Sequence, residues 1–324
     1  MKAILCRGYG PPENLTLEDV EPLKATKNKL VISVKACGVN FPDTLIIQGK
    51  YQFKPPFPFS PGGEVAGVVK EVGEGITHLK PGDNVFALTG WGGFAEEVLA
   101  DGYRTFPMAP GMDYATAASL MYTYGTSYHA LKDRANLQPN ETMLVLGAAG
   151  GVGLAAVELG KIMGARVIAA ASTDEKLALC IEKGASETIN YSHEDLRERI
   201  KTITGGQGVD VIYDPVGGSL AEAALRSMNW RGRYLVVGFA AGDIPSLPFN
   251  LPLLKGCSVV GVFWGAFAER QPKDNFKNFQ ELLGFYQQGH MKPHIQAQYS
   301  LEQVPQALNE MLERKVMGKL VIVP

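Results

Sequence analysis

The chain has 324 residues, of which 46% are hydrophobic and 20% charged, a composition typical of a water-soluble globular protein with room for two domains. A formal net charge of −2, with no Lys/Arg block, argues against nucleic-acid binding, and no apolar run approaches the ~20 residues that cross a bilayer. The four cysteines have neither a disulfide-framework spacing nor a zinc-binding spacing. The apolar stretch after Met1 is too short for a signal peptide, so we expect free thiols and a cytoplasmic protein.

The first 120 residues are predicted to be rich in β-structure. Strand composition occurs at residues 2–6, 30–35, 64–72, 84–88 and 95–99. Turn signals rich in Pro and Gly separate these runs, at 8–12, 55–63 and 80–83. Short strands at irregular spacing with prolines at the joints predict a partly open β-barrel.

Strand and helix patterns alternate from residue 113 onward. Residues 115–132 are predicted to be helical with an interruption at 124–126. Six strands with intervening helices follow, at 143–146, 166–171, 187–191, 209–214, 234–239 and 258–263. This alternation predicts a doubly wound, six-stranded parallel sheet of the Rossmann type.

The last part of the chain is predicted to contain a helix at 274–289, a strand at 295–299, a helix at 301–314 and a strand at 319–323. The final strand follows a helix closely, and we expect it to join the N-terminal β domain. The predicted domains are therefore 1–121 with 265–324, and 122–264.

A glycine-rich turn follows the first strand of the predicted parallel sheet. In the G-x-G-x-x-G frame its positions are Ala148, Gly150 and Gly153, so alanine replaces the first glycine. Gly150 would let the backbone approach a pyrophosphate, and Gly153 would let the helix pack on the strand. The helix would point its free N–H groups at the phosphates. We therefore predict dinucleotide contacts from Ala149, Gly150, Gly151 and Val152; a turn without a ligand is the alternative.

The tip of the second strand indicates which dinucleotide binds. An NAD site has Asp or Glu about 20 residues after the glycines, but this chain has Ser172 and Thr173 there, with Lys176 one turn later. Hydroxyls and a nearby cation suit the 2′-phosphate of NADPH, which a carboxylate would repel. The alternative is that the hydroxyls only cap the helix while Lys176 is solvated.

Five motifs in order resemble the medium-chain dehydrogenase/reductases, specifically the zinc-independent quinone oxidoreductase (zeta-crystallin-like) branch. They are Cys37-Gly-Val-Asn-Phe-Pro-Asp43, Pro61-Gly-Gly-Glu-Val-Ala-Gly67, Lys80-Pro-Gly-Asp-Asn-Val85, Gly147–Gly153 and Gly318-Lys-Leu-Val-Ile322. The resemblance spans nearly the whole chain and implies a GroES-like β domain together with a Rossmann domain. It also implies a homodimer, with residues 258–263 pairing across a two-fold axis.

The departures from the zinc alcohol dehydrogenases of this superfamily suggest the chemistry. Asn40 and Gly63 occupy the positions of their metal-binding cysteine and histidine, and only Glu64 remains. The lobe with four cysteines is absent. We therefore expect NADPH-dependent reduction of an electrophilic small molecule without zinc, either a quinone or an activated C=C bond. A non-catalytic NADPH-binding protein and a zinc enzyme with unrecognised ligands are the alternatives.

The resemblance also implies roles for single residues. Asn40 would contact the nicotinamide ribose, unless it only caps a helix; Thr126 would lie near the pyrophosphate or nicotinamide, and Tyr191 beside the 2′-phosphate. Strand ends place Gly238, Phe239 and Phe263 near the nicotinamide. We also expect a cofactor contact from Lys319 in the terminal motif. Tyr51 and Asn40 are the catalytic candidates, Asp43 is expected to be a helix-start charge, and solvent is expected to supply the proton.

Overall fold

The computed structural model describes residues 1–324, which form two compact units. Unit 1 comprises Met1–Tyr122 and Pro293–Pro324, and unit 2 comprises Thr123–Lys292. The chain thus leaves the first unit, builds the second and then returns. This discontinuity agrees with the predicted arrangement.

The strands in chain order are β1 (Lys2–Leu5), β2 (Thr16–Asp19), β3 (Lys29–Val39), β4 (Glu64–Val72), β5 (Asn84–Leu88), β6 (Glu97–Asp101), β7 (Thr105–Pro107), β8 (Thr142–Leu146), β9 (Arg166–Ala171), β10 (Glu187–Asn190), β11 (Val209–Asp214), β12 (Met228–Val236), β13 (Ser258–Gly261), β14 (Ile295–Tyr299) and β15 (Lys319–Ile322).

The helices are α1 (Phe41–Ile46), α2 (Tyr114–Ala117), α3 (Thr126–Tyr128), α4 (Gly151–Ile162), α5 (Asp174–Lys183), α6 (Leu196–Ile203), α7 (Leu220–Arg226), α8 (Asn250–Lys255), α9 (Trp264–Arg270), α10 (Pro272–Gln287) and α11 (Val304–Leu312). None of them combines the length and the apolar character needed to span a membrane.

Unit 1 is built on a seven-stranded sheet in the order β14-β15-β3-β4-β5-β7, with β6 also paired to β3. The central strand β3 is the longest, and Leu30, Val31 and Ile32 in it are fully buried. The terminal strand β15 pairs antiparallel with β3, so that Leu320 lies opposite Val39. The predicted return of the last strand to the N-terminal β domain is therefore confirmed.

Unit 2 is built on six parallel strands in the order β10-β9-β8-β11-β12-β13. This is the predicted doubly wound sheet, and its strand order reverses between β8 and β11, which is where such sheets bind nucleotides. Strand β12 begins at Met228, six residues before the predicted start, because it continues through the bend at Arg231 (φ +62°). The strand ends at Val236, three residues before the predicted end, so residues 238 and 239 lie in the loop after it.

The helical stretch before β8 differs from its prediction. The break falls after α2, at residues 118–120, whereas residues 124–126 lie within helical structure. Wide π-type turns, Met121–Gly125 and His129–Arg134, flank α3. The N–H of Ala135 donates to Ala130 O at 2.8 Å, five residues back. Such turns accommodate an extra residue without ending the helix.

The predicted domain boundary at 264/265 falls too early, since unit 2 continues to Lys292. Helices α9 and α10 pack within this unit. Trp264 Nε1 donates to Asn275 Oδ1 at 3.0 Å, and Phe279 and Leu282 are buried to 1% exposure. The apolar face of α10 therefore contributes to the core of unit 2.

Candidate functional site

Three glycines of the turn in unit 2, Gly147, Gly150 and Gly153, differ in whether the protein itself requires glycine at that position. Gly147 has a φ of +56°, a conformation that favours glycine. A Cβ at Gly153 would lie 2.3 Å from Gly147 O, so close helix–strand packing excludes any side chain there. Gly150, by contrast, has φ −72° and ψ 169°, and the nearest atom to its Cβ position is 3.5 Å away. The protein itself therefore does not require glycine at 150, which fits a position approached by a ligand.

Gly150 is also the N-cap of the twelve-residue helix α4, and no side chain caps that helix end. Its first N–H groups, including those of Gly151 and Val152, therefore face the turn and are suited to an anion. The N–H of Ala148 donates to Ala170 O at 3.0 Å, which ties the turn to β9, and Ala149 is buried. The protein alone therefore holds this turn in place, and its N–H groups point to a position that an anion could occupy.

The first turn of α4 is held by a residue that the sequence analysis did not single out. Ser127 Oγ donates to Val152 O at 2.8 Å and lies 2.8 Å from Tyr213 Oη. The predicted contact Thr126 is its half-buried neighbour in α3, and no hydrogen bond of its side chain to the protein is observed. Ser127 therefore positions the first turn of α4.

The predicted 2′-phosphate residues gather at the ends of β9 and β10. Lys176 Nζ donates to Ser172 Oγ at 3.3 Å, so Lys176 is directed at the strand tip. Tyr191 lies on the neighbouring strand end, with its N–H donating to Ala171 O at 3.2 Å. Ser192, which the prediction missed, donates to Ser172 O at 2.8 Å. The tip therefore carries several hydroxyls and one ammonium.

Residues other than Ser172 and Lys176 use their side chains at the start of α5. Thr173 is the N-cap of α5 and accepts from Lys176 N at 3.3 Å. Asp174 Oδ1 accepts from Asn190 Nδ2 at 2.7 Å, which turns this carboxylate toward β10. Ser172 is therefore not used as a cap, and the arrangement fits the 2′-phosphate of NADPH.

The other predicted contacts in unit 2 follow strand ends. The N–H of Gly238 donates to Asp214 O at 3.3 Å, just beyond β12. Phe239 is 37% exposed beside it, and Phe263 is 53% exposed after β13. Exposed aromatic rings at the carboxyl ends of β12 and β13 can pack against a ring-shaped ligand, but they offer it no hydrogen bond.

Unit 1 contains a buried polar group at the ends of three strands, here called the Glu64 cluster: Asn40, Glu64 and Lys319. Lys319 Nζ donates to Val39 O at 2.9 Å, Asn40 Oδ1 at 2.7 Å and Glu64 Oε2 at 3.2 Å. Asn40 Nδ2 donates to Glu64 Oε2 at 2.9 Å and to Gly38 O at 3.1 Å. All three Lys319 donors and both ends of the Asn40 amide are thus satisfied inside the protein.

The second carboxylate oxygen of Glu64 holds the start of the helical stretch after α2. Glu64 Oε1 accepts from the backbone N–H groups of Met121 and Tyr122, the latter at 3.2 Å. Glu64 is 0% exposed, so its charge depends entirely on these partners. The cluster therefore joins β3, β4, β15 and residues 121–122.

The Asp43 carboxylate caps the start of α1, where Asn40 is the N-cap residue. Asp43 accepts from Asn40 N at 2.8 Å and from Gly62 N at 3.2 Å. Burial is the largest influence on this carboxyl and raises its pKa to about 7, against the lowering effect of its backbone donors and Lys319. The predicted helix-start role of Asp43 therefore holds, in a buried setting that the prediction did not include.

Two tyrosines lie close to Asp43. Burial, followed by the Asp43 charge, raises the pKa of Tyr51, the predicted catalytic candidate, which also lies beside Phe53 at a ring-centroid distance of 5.9 Å. Burial raises the pKa of Tyr122 well above its ordinary value, with further contributions from Tyr51, Asp43, Glu64 and Cys37. Tyr122 is a further residue that the sequence analysis did not single out.

The comparisons with known proteins cover both units. Residues 26–111 match the family model for the alcohol dehydrogenase GroES-like domain, and residues 151–285 match the model for zinc-binding dehydrogenase. The "quinone oxidoreductase-like protein 2 homolog" of Nematostella vectensis is 40% identical over 99% of this chain and 88% of its own length. A crystal structure of Escherichia coli quinone oxidoreductase complexed with NADPH covers 100% of both chains with a TM-score of 0.93 and 28% identity. A probable oxidoreductase from Mycobacterium abscessus gives 0.91 and 38% over 100% of this chain and 99% of its own.

A GroES-like domain and a parallel-sheet nucleotide-binding domain in one chain define the medium-chain dehydrogenase/reductases. The chain belongs to this superfamily, within its quinone oxidoreductase branch. It is accordingly an oxidoreductase of this family.

The name of the second family model implies zinc, and the residues of unit 1 do not fit that ion. At the positions of the metal-binding cysteine and histidine the chain has Asn40 and Gly63, and neither offers a thiolate or imidazole. The remaining carboxylate, Glu64, is already bonded to the Lys319 ammonium, whose charge repels a metal cation. No group of three or more His, Cys, Asp or Glu side chains is placed to hold a metal.

Proposed function

We propose that this protein transfers a hydride from NADPH to a quinone and does so without zinc. The observation that carries the proposal is the Glu64 cluster, in which a lysine ammonium lies among the groups that correspond to a metal site. The glycine turn and the Ser172 tip support NADPH as the cofactor, as does the NADPH complex of the similar E. coli enzyme.

NADPH, when bound, supplies the hydride from nicotinamide C4. The chain's own residues bind and orient it. Gly150 and the N-terminus of α4 would hold the pyrophosphate, and Ser172 and Lys176 would hold the 2′-phosphate, with Ser192 bracing the backbone of Ser172. Because its three donors are already used, we assign Lys319 to positioning Asn40 and not to a direct cofactor contact.

The absence of suitable zinc ligands favours an acceptor that spreads its negative charge. An isolated ketone keeps the developing negative charge on one alkoxide oxygen and therefore gains much from a Lewis acid. A quinone delocalises that charge into a hydroquinone, and an enone, enal or acrylate delocalises it into an enolate. Reduction of an activated C=C bond is therefore the second candidate, and a non-catalytic NADPH-binding protein is the rival from another class.

The deciding experiment follows nicotinamide absorbance while the protein is mixed with NADPH and a panel of quinones, enones and acrylates. Turnover is expected with quinones, and faster turnover with enones would favour the second candidate. Tight NADPH binding without turnover of any acceptor would support the non-catalytic protein. Stoichiometric zinc in the active protein by elemental analysis would overturn the zinc-free proposal.

A Lys176→Ala variant tests the choice of cofactor. A charge-assisted hydrogen bond is worth roughly 1.5–3 kcal/mol, so the Kd for NADPH should rise about 10- to 100-fold while that for NADH changes little. The matched control is Lys201→Ala, an exposed lysine on α6 of the same unit. Equal losses for NADPH and NADH in the Lys176 variant would contradict a 2′-phosphate contact.

We also propose a homodimer formed through β13. This strand pairs only with β12, so its outer edge is available, and Trp230, Leu253 and Val259 nearby in unit 2 are 67%, 80% and 45% exposed. Light scattering should give twice the chain mass, and a monomer would refute the proposal.

A cytoplasmic location is proposed because all four cysteines are free thiols, and cell fractionation checks it.

A further inference from the structure

A carboxylate lies just beyond the proposed 2′-phosphate contacts. Asp174 is the first residue of α5, two positions after Ser172 at the tip of β9, and it is exposed. NAD sites carry an Asp or Glu at this tip, where it accepts from the ribose 2′-OH and repels a 2′-phosphate. The chain thus has an acidic residue close to the position that favours NADH. The direction of its carboxylate therefore matters for the choice of cofactor.

The buried side chain of Asn190, at the end of β10, fixes that direction. Asn190 is 6% exposed and lies opposite Ala171 in the register of β9 and β10. Its Nδ2 donates to Asp174 Oδ1 at 2.7 Å, which is the one hydrogen bond that this carboxylate makes in the protein. Its Oδ1 accepts from Ser192 N at 3.1 Å. A reversed amide would oppose two oxygens at one end and two N–H groups at the other, so the network permits only this orientation.

The same amide also supports a proposed phosphate contact. Ser192, whose N–H donates to Asn190, donates through its Oγ to Ser172 O at 2.8 Å. The backbone N–H of Asn190 donates to Glu194 Oε2 at 2.8 Å, which holds the end of β10 itself. One buried side chain therefore braces Ser172 and restrains the nearby carboxylate at the same time.

We propose that Asn190 is a positioning residue that sets the preference for NADPH over NADH, by keeping the Asp174 carboxylate bonded to β10. This assignment rests on the proposed NADPH site. Without the Asn190 amide the Asp174 side chain rotates, and the Lys176 ammonium, which donates to Ser172 Oγ, attracts it to the strand tip. There the carboxylate opposes the charge of a 2′-phosphate and can accept from the 2′-OH of NADH.

The test is Asn190→Ala, with the Kd values for NADPH and NADH measured by fluorescence titration. The Kd for NADPH should rise about tenfold, the size expected for one carboxylate beside a phosphate in partly aqueous surroundings. The Kd for NADH should stay the same or fall, which also shows that unit 2 is still folded. The matched control is Asn250→Ala, an exposed asparagine on α8 whose loss should change neither Kd.

A second substitution separates the charge of Asp174 from the support of Ser172. Asp174→Asn removes the charge and keeps an oxygen that can accept from Asn190 Nδ2. In the wild-type background it should not weaken NADPH binding. In the Asn190→Ala background it should restore most of the lost NADPH affinity, so its effect on the Kd should be about tenfold larger there.

Two results overturn the assignment while the proposed cofactor stands. They are parallel losses of NADPH and NADH affinity in Asn190→Ala, and an equal effect of Asp174→Asn in both backgrounds. Either result leaves Asn190 with a role in the fold alone. A wild type that binds NADH as tightly as NADPH is a different outcome, because it refutes the proposed cofactor and leaves no preference for Asn190 to set. Every arm measures binding, so the answer does not depend on finding an acceptor that is reduced.

Discussion

Two alanine substitutions in one turn should separate folding from nucleotide binding. At Gly153 the added methyl would lie 2.3 Å from Gly147 O and 3.0 Å from Ala148 Cα. Both are backbone atoms, so strand or helix must move by roughly 1 Å, and overpacking of this kind costs about 1–3 kcal/mol. At Gly150 the methyl would meet only Gly147 O at 3.5 Å, an ordinary contact in an ordinary extended conformation.

We therefore expect Gly150→Ala to lower the free energy of unfolding by no more than about 1 kcal/mol, the penalty of alanine at a helix N-cap. The same methyl points at the proposed pyrophosphate position, and the Kd for NADPH should rise at least about tenfold, or 1.4 kcal/mol. Gly153→Ala should lose both stability and affinity. Urea unfolding without nucleotide and fluorescence titration with NADPH measure the two quantities. Unchanged NADPH affinity in a well-folded Gly150→Ala protein would refute the turn as the phosphate site.

Two further predictions concern the buried charges of unit 1. Lys319→Met should lower the free energy of unfolding by about 3–5 kcal/mol, because it leaves the fully buried Glu64 carboxylate without its cation. Adding Glu64→Gln to this variant removes the unpaired charge and should restore part of the lost stability. Urea unfolding measures both effects, and a double variant no more stable than Lys319→Met would contradict a charge effect. The pKa of Asp43 is raised from 3.8 to about 7, so the unfolded state loses this proton first, and the group's contribution to stability falls as pH rises from about 4 to about 7. Asp43→Asn has no ionisable group here and lacks this dependence. Between pH 4 and pH 7 the free energy of unfolding of the wild type should therefore fall relative to that of the variant by up to about 4 kcal/mol. Parallel pH profiles of the two free energies would refute the raised pKa.

The elements that the sequence predicted well depend on local requirements. A buried strand, a glycine turn and a helix follow one another between Thr142 and Ile162, and each has its own composition signal, so the region of Gly150 and Gly153 could be identified. The alternation of strands and helices predicted the parallel sheet for the same reason. The terminal strand β15 was placed correctly from topology, since too few residues separate it from α11 for a longer route.

The elements that were missed depend on packing between distant residues. The apolar face of α10 is visible in its sequence, but periodicity does not tell which sheet the helix covers, and the boundary at 264/265 was therefore wrong. The bond from Lys319 to Glu64 joins residues 255 positions apart, and that from Tyr122 to Glu64 joins residues 58 apart. No local sequence pattern identifies pairs of residues that are so far apart in the chain. Lys319 was expected at the cofactor because its motif was recognised and its partners were not.

The return of the chain to unit 1 has a consequence for biosynthesis. Strand β15 lies inside its sheet, between β14 and β3, so that sheet is incomplete until residues 319–322 have been made. Unit 2 is one continuous segment, 123–292, and all six of its strands are available earlier. The first residues to be synthesised must therefore wait for the last, whereas the middle of the chain can acquire its structure in the meantime. During that interval Glu64 has no partner at position 319.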